Sequence, residues 1–285
     1  MSPPRVGSGE GSPPDHPDER PIVPDDLLRS RRWALRADPR SAVRTAVVWD
    51  ALDGLLAQRR AVTRRDTLEV VDLGGGTGGF AVPIALLGHR VTVVEPSPDA
   101  LAALQRRAAE AGVADRIRAL QGDAAGLGEI VPAGSADLVL CHGVLEYVDD
   151  PVAAAGAAVA ALYPGGYASL LAAQRLGAVL ARALAGRFVE ARRLLADPDG
   201  HCGQSDPLPR RFDEASLRAL LAGAPVQVRE VHGVRLVTDL LPGALMDGDP
   251  EAAEALLDLE RAAAQDPRLS ALAAQLHVVV QRDGG

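Results

Sequence analysis

The chain has 285 residues, 47% hydrophobic but only 3% aromatic, which describes a folded body with an Ala-, Leu- and Val-built core and excludes a disordered or fibrous chain. All 30 basic residues are arginine, so Schiff-base chemistry, pyridoxal-phosphate attachment and a phosphate-loop lysine are excluded. The net charge of −8 is uneven: residues 1–26 carry −4, residues 27–65 carry +7 and the remainder is acidic.

Residues 1–25 hold Pro, Gly, Ser and acids without periodicity and read as a disordered acidic tail. Residues 26–285 read as one domain. Apolar residues recur at helical spacing through Val43, Val47, Val48, Leu52, Leu55 and Leu56, and Pro39 with Ser41 marks a helix start. After Arg65 strands alternate with helices. LEVVDL (68–73), RVTVVE (90–95), RIRALQG (116–122), ADLVLCHG (136–143) and GYASLLA (166–172) read as strands. Helices are expected over 77–87, 96–111 and 151–163. This rhythm predicts an α/β, doubly wound, mostly parallel, seven-stranded Rossmann-like sheet.

The rhythm then fails. Residues 173–197 read as one or two helices and 198–211 as a loop. Together, 173–211 is the expected helical insertion after strand five, placed to cover a substrate. A helix at 215–224, a strand within 226–239, a helix at 250–264 and a last strand at 276–282 complete the chain. No apolar run reaches the ~18 residues of a membrane span, and the N-terminus lacks a signal-peptide core. Cys141 and Cys202 have neither a disulfide framework nor zinc-ligand spacing, so no metal is expected and a reduced cytoplasm fits.

VVDLGGGTGG (70–79) carries the chemistry. Gly74, Gly76 and Gly79 satisfy the dinucleotide pattern G-x-G-x-x-G. Asp72, Gly74, Gly76 and Gly78 satisfy D-x-G-x-G-x-G, the S-adenosylmethionine loop. Charge separates the two. A pyrophosphate favours helix N-terminal amides and no carboxylate, whereas Asp72 suits a ligand with a sulfonium and an ammonium. Glu95, ending the second strand, is placed for ribose hydroxyls. Asp123 in LQGDA is placed for an adenine amino group, or caps the following turn. His142 in LCHGVLEYV lies beside the methyl-transfer position. Arg44 is the upstream cation for the ligand's own carboxylate. These acids and His142 fall at the C-terminal ends of consecutive strands, where open α/β sheets bind ligands.

The loop, LQGDA, LCHGVLEYV and LYPGG together resemble class I S-adenosylmethionine-dependent methyltransferases. HGVLEYVDDP (142–151), LAGRFVEA (184–191), PLPRRFDEASLRALLAGA (207–224), HGVRLVTDLL (232–241), ALLDLERAAAQDP (255–267) and LHVVVQR (276–282) extend the likeness. From about residue 40 to 282 the chain resembles the bacterial tRNA 5-carboxymethoxyuridine methyltransferase family. That resemblance implies a methyl ester on the carboxymethoxy group of a wobble uridine in tRNA. It also implies cofactor contacts at Arg44, Gly74, Gly75, Glu95, Ala124 and His142. Arg210 and Arg211, with Tyr147 nearby, are the expected substrate contacts. Where the family has a lysine run, this chain reads PDGHCGQSDPLPRR. With an acidic body and eight aromatics, a small-molecule acceptor stands as the alternative to tRNA.

Overall fold

The computed structural model describes residues 39–241 and 250–284; the expected acidic tail lies outside them. Helix α1 (Pro39–Thr63) begins at the expected break. Strands β1 (Glu69–Leu73), β2 (Arg90–Glu95), β3 (Ile117–Gln121), β4 (Ala136–His142) and β5 (Leu162–Ala173) follow. Between them lie α2 (Ala81–Leu86), α3 (Pro98–Glu110), α4 (Leu127–Ile130) and α5 (Pro151–Ala161). The second half adds α6 (Arg175–Leu184), α7 (Phe188–Ala196), α8 (Glu214–Leu220), β6 (Val226–Val234), α9 (Pro250–Ala264), α10 (Pro267–Ser270) and β7 (Gln275–Arg282).

Local chemistry sets several boundaries. Ser97 caps α3 by accepting from the Ala100 N–H at 3.2 Å, with Pro98 opening the helix. Asp150 does the same for α5 through Ala153 at 2.9 Å, with Pro151 next. Asp213 and Ser216 form a capping box on α8. Each side chain satisfies an N–H that the helix cannot pair internally.

The sheet order is β3-β2-β1-β4-β5-β7-β6. β1 to β5 are parallel, whereas β7 runs antiparallel to both β5 and β6. The sheet is therefore mixed: among the described strands six run one way and β7 is reversed, which fits the mostly parallel reading and adds an antiparallel edge that reading did not specify. From β6 the chain runs through α9 and α10 and returns as β7, inserted between β5 and β6 in the opposite direction. β5 also starts four residues early, because LYPGG enters the sheet as strand.

Alternation along the strands builds two cores. Val71, Leu73, Val139, Cys141, Ala168 and Leu170 face α5 and α8. Val70, Leu138, Leu140, Tyr167 and Val279 face α1, α2 and α3 with Leu52, Ile84 and Leu104. Among the described residues no helix is long and apolar enough to cross a membrane.

One polar cluster pins α1 to the sheet at the end away from the glycine loop. Fully buried Asp137 accepts from Arg59 Nε at 2.9 Å, from the Glu69 N–H at 3.0 Å and from Arg65. Removing one member of such a group leaves a buried charge uncompensated. Asp137→Ala is expected to cost about 3–5 kcal/mol in urea unfolding; a loss below about 1 kcal/mol would show that the cluster does not anchor α1.

Candidate active site

The strand order reverses between β1 and β4, so the loops leaving these two strands diverge and open a cleft at their C-terminal ends. The glycine loop enters it from β1. Gly74 has φ +69°, and a Cβ there would stand 2.4 Å from Val144 Cγ2 on the loop after β4. A Cβ at Gly75 would stand 2.6 Å from Asp72 Oδ2. Gly74 and Gly75 are thus bare because the loop is squeezed from both sides there. Gly76 and Gly78 also hold positive φ, and the Gly78 N–H closes the turn on the Gly75 carbonyl at 2.9 Å.

Asp72 lies beneath this loop. It is buried, and Oδ2 has no hydrogen-bond partner among the described residues. Burial, and then the charge of Glu95, pushes its carboxyl up to about 7. An unpartnered buried carboxylate destabilises itself in the charged form, and a cation placed nearby relieves that cost.

Glu95 binds the loop to β2. Its Oε2 accepts from the Gly76 N–H at 3.0 Å and its Oε1 from the Ser97 N–H at 3.0 Å. Each oxygen keeps a lone pair for a ligand hydroxyl. Glu95 borders a cavity of about 510 Å³ together with Leu73, Gly74, Asp123, Ala124, Gly143, Val144 and Tyr147. That volume suits a nucleoside-sized ligand. Asp123 also accepts from the Gly126 N–H at 2.9 Å, so it is a turn-capping residue at the cavity wall.

His142, the last residue of β4, lies on the sheet face packed by α1, α2 and α3. Its ring meets Phe80 edge-on at 4.7 Å, and Phe80 packs on Trp49 of α1 at 5.1 Å. Nε2 lies 2.7 Å from Ser169 Oγ, while Nδ1 has no partner among the described residues. Burial lowers this imidazole to about 3. Phe80 and Ser169 were not singled out as site residues from sequence; only the fold brings them to His142.

The remaining expected residues scatter. Arg44, half exposed on α1, sits 3.5 Å from Asp239 and does not border the cavity. Tyr147 is 60% exposed at the cavity rim. Arg210 donates to the Leu145 carbonyl at 3.4 Å and to the Val148 carbonyl, so it holds the loop that carries Tyr147. Arg211 is buried. Its guanidinium grips both oxygens of Asp206 at 2.7 and 2.8 Å and the Gly200 carbonyl at 2.7 Å. With its planar fork committed this way, Arg211 shapes the segment after α7, and the expectation that it touches substrate does not fit this placement. Glu146, also passed over in the sequence, is buried on the loop after β4 and accepts from the Ala173 N–H at 2.6 Å. No group of three or more His, Cys, Asp or Glu residues able to hold a metal occurs among the described residues.

Residues 71–168 match the family model described as a methyltransferase domain. The orphaned Asp72 oxygen, the squeezed glycine loop and the carboxylates of Glu95 and Asp123 on the cavity wall fit a cationic nucleoside. The chain is an S-adenosylmethionine-dependent methyltransferase. It is 28% identical over 259 residues to the tRNA 5-carboxymethoxyuridine methyltransferase of Escherichia coli K12, covering 90% of this chain and 95% of that protein. It is 32% identical over 167 residues to the ubiquinone biosynthesis O-methyltransferase of Xanthomonas axonopodis pv. citri, covering 58% of this chain and 65% of that one. In fold it is similar to magnesium protoporphyrin IX methyltransferase from Synechocystis PCC 6803, solved with bound SAH. There the TM-score is 0.53 at 17% identity, covering 91% and 94% of the two chains.

Glu95 is expected to serve both the loop and the ligand. Glu95→Ala should abolish S-adenosylmethionine binding measurable by calorimetry, and an unchanged affinity would remove Glu95 from the site.

Proposed function

We propose that this methyltransferase esterifies the carboxymethoxy group of 5-carboxymethoxyuridine at the wobble position of tRNA. One observation carries the reading. The likeness to the Escherichia coli tRNA enzyme runs through nearly the whole chain and includes the segments after β5, where acceptor specificity resides in a fold whose first half holds the cofactor.

S-adenosylmethionine, when bound, supplies a methyl group on a sulfonium sulfur. The chain's own task is then placement. We assign the methionine end of the cofactor to Arg44 and Asp72, the ribose to Glu95, and the adenine side to Asp123 and Ala124. Gly74, Gly75, Gly76 and Gly78 allow close backbone approach, and His142 stands at the reacting end. A carboxylate acceptor, with an ordinary pKa near ~4, is anionic at neutral pH. Orientation and exclusion of water are what the site must add, and positioning alone can supply about 7–11 kcal/mol. Arg210, held against the loop of Tyr147, is the proposed acceptor contact. The segment with α6 and α7 is the proposed cover. A tRNA acceptor places the protein in the cytoplasm.

A small-molecule acceptor is the second reading. The net charge of −8 and the absence of lysine favour it, because RNA binding draws most of its affinity from phosphate neutralisation. Mass spectrometry of tRNA nucleosides from cells lacking the protein tests the choice. The proposed function predicts accumulated 5-carboxymethoxyuridine and loss of its methyl ester. An unchanged nucleoside profile, with label from tritiated cofactor entering a metabolite extract instead, would overturn the tRNA reading.

A further inference from the structure

Four side chains beyond His142 form a line across one face of the sheet. His142 Nε2 lies 2.7 Å from Ser169 Oγ. Ser169 Oγ lies 2.7 Å from His277 Nε2. His277 Nδ1 lies 3.3 Å from His232 Nδ1. His232 Nε2 lies 3.4 Å from Glu230 Oε2. The line steps from β4 through β5 and β7 to β6. Register fixes its second half, since His232 and His277 are direct cross-strand partners and their rings stack at 5.4 Å. Ser169 and His277 are wholly buried, whereas the Glu230 side chain is 47% exposed. The far end opens into a surface cavity of about 230 Å³ bordered by Glu230, His232, Asp50 and Arg261.

The chain has a direction. His232 Nε2 faces a Glu230 carboxyl oxygen at 3.4 Å, and we place the hydrogen of His232 on that nitrogen. His232 Nδ1 is then an acceptor, and His277 Nδ1 must donate to it. His277 Nε2 is left as an acceptor, so the Ser169 hydroxyl donates to His277. His142 Nε2–H then donates to Ser169, and the lone pair at His142 Nδ1 is left bare, buried beside Phe80 at the C-terminal end of β4. That is the atom without a partner among the described residues.

We infer that His142 accepts the proton of an acceptor oxygen that arrives as O–H, and that Ser169, His277, His232 and Glu230 pass a proton to the surface. The acceptor O–H bond breaks and its proton joins His142 Nδ1. The His142 Nε2 proton moves to Ser169 Oγ, the Ser169 hydroxyl proton to His277 Nε2, the His277 Nδ1 proton to His232 Nδ1, and the His232 Nε2 proton to Glu230, which exchanges with water. Every ring starts and ends neutral. This matters because burial holds His142 down to about 3 and holds His277 well below its usual range, with the neighbouring imidazoles adding to the effect. His232, also lowered by burial, faces Glu230 and Asp50, with Arg261 paired to Asp50 at 2.8 Å. Burial thus disfavours a charge on each ring of the line, which favours passing the proton on.

The shared chemistry is an oxygen that carries a proton on arrival, either a hydroxyl or a carboxyl protonated as it leaves water. This inference rests on the methyltransferase reading and not on tRNA as acceptor. The ring protons are read directly in ¹⁵N-labelled protein without donor or acceptor, by two-bond proton–nitrogen correlation. Hydrogens are expected on His142 Nε2, His277 Nδ1 and His232 Nε2. Ser169→Ala should mix the tautomers of His142 and leave His232 unchanged. A hydrogen on His142 Nδ1 in the wild type, or no change at His142 in Ser169→Ala, would overturn the relay.

Turnover supplies the second reading, with saponified bulk tRNA as the carboxylate probe and 3,4-dihydroxybenzoate as the phenol probe. Ser169→Ala should lower turnover about 100-fold with an unchanged KM for S-adenosylmethionine. A fall on both probes assigns the relay to a carboxyl that enters protonated; a fall on the phenol alone assigns it to a hydroxyl. Undiminished turnover on every probe the wild type methylates overturns the proposal. If the wild type methylates neither, the proposed acceptors fail and the tautomer spectrum alone decides the relay.

Discussion

Asp72 is buried near the C-terminal end of β1, with one oxygen unpartnered among the described residues, directly under the glycine loop. Such a group is unfavourable in the folded chain alone. Its burial raises its pKa toward neutrality, so on this account alone the folded protein gains stability as pH falls and loses it as pH rises from the usual carboxylate range through about 7. A cationic ligand reverses the preference. The rest of the cleft is arranged around that charge. Gly75 has no Cβ because Asp72 occupies the space, Gly74 has none because Val144 does, and Glu95 ties the loop down through Gly76.

Much of this was legible in the residues. The D-x-G-x-G-x-G spacing announces a carboxylate among bare backbone, and strand two ends on Glu95 in the sequence as in the structure. The Pro–Gly punctuation gives nearly all the elements because parallel strands, buried on both faces, read as short apolar runs. Strand direction at the far edge is not legible in this way. Whether β7 runs with or against β5 depends on where the chain returns, and an apolar run such as LHVVVQR is the same in either direction. Arg211 illustrates a further limit. An Arg-Arg pair after a proline announces charge, but Asp206, five residues earlier, decides that one of the two turns inward.

The histidine line was hidden for a different reason. His232 and His277 stand 45 residues apart, and Ser169 lies 108 residues from His277. Only strand pairing makes them neighbours. Individually each is a buried polar residue needing a partner; together they give His142 a fixed tautomer and a way out for a proton. The two halves of the site thus divide the work. Glu95 and Asp123 border a nucleoside-sized cavity, and His142, packed by Phe80 and Trp49, begins the proton path.

The central claim is that the cleft is charged for a cation. Calorimetric titration of S-adenosylmethionine at pH 6.5, repeated in buffers of different ionisation enthalpy, measures this most directly. The account predicts binding coupled to proton release, as the cation draws Asp72 into its ionised form, with the coupling lost in Asp72→Asn. Binding without proton release in the wild type, or tighter binding of a nicotinamide dinucleotide, would contradict it.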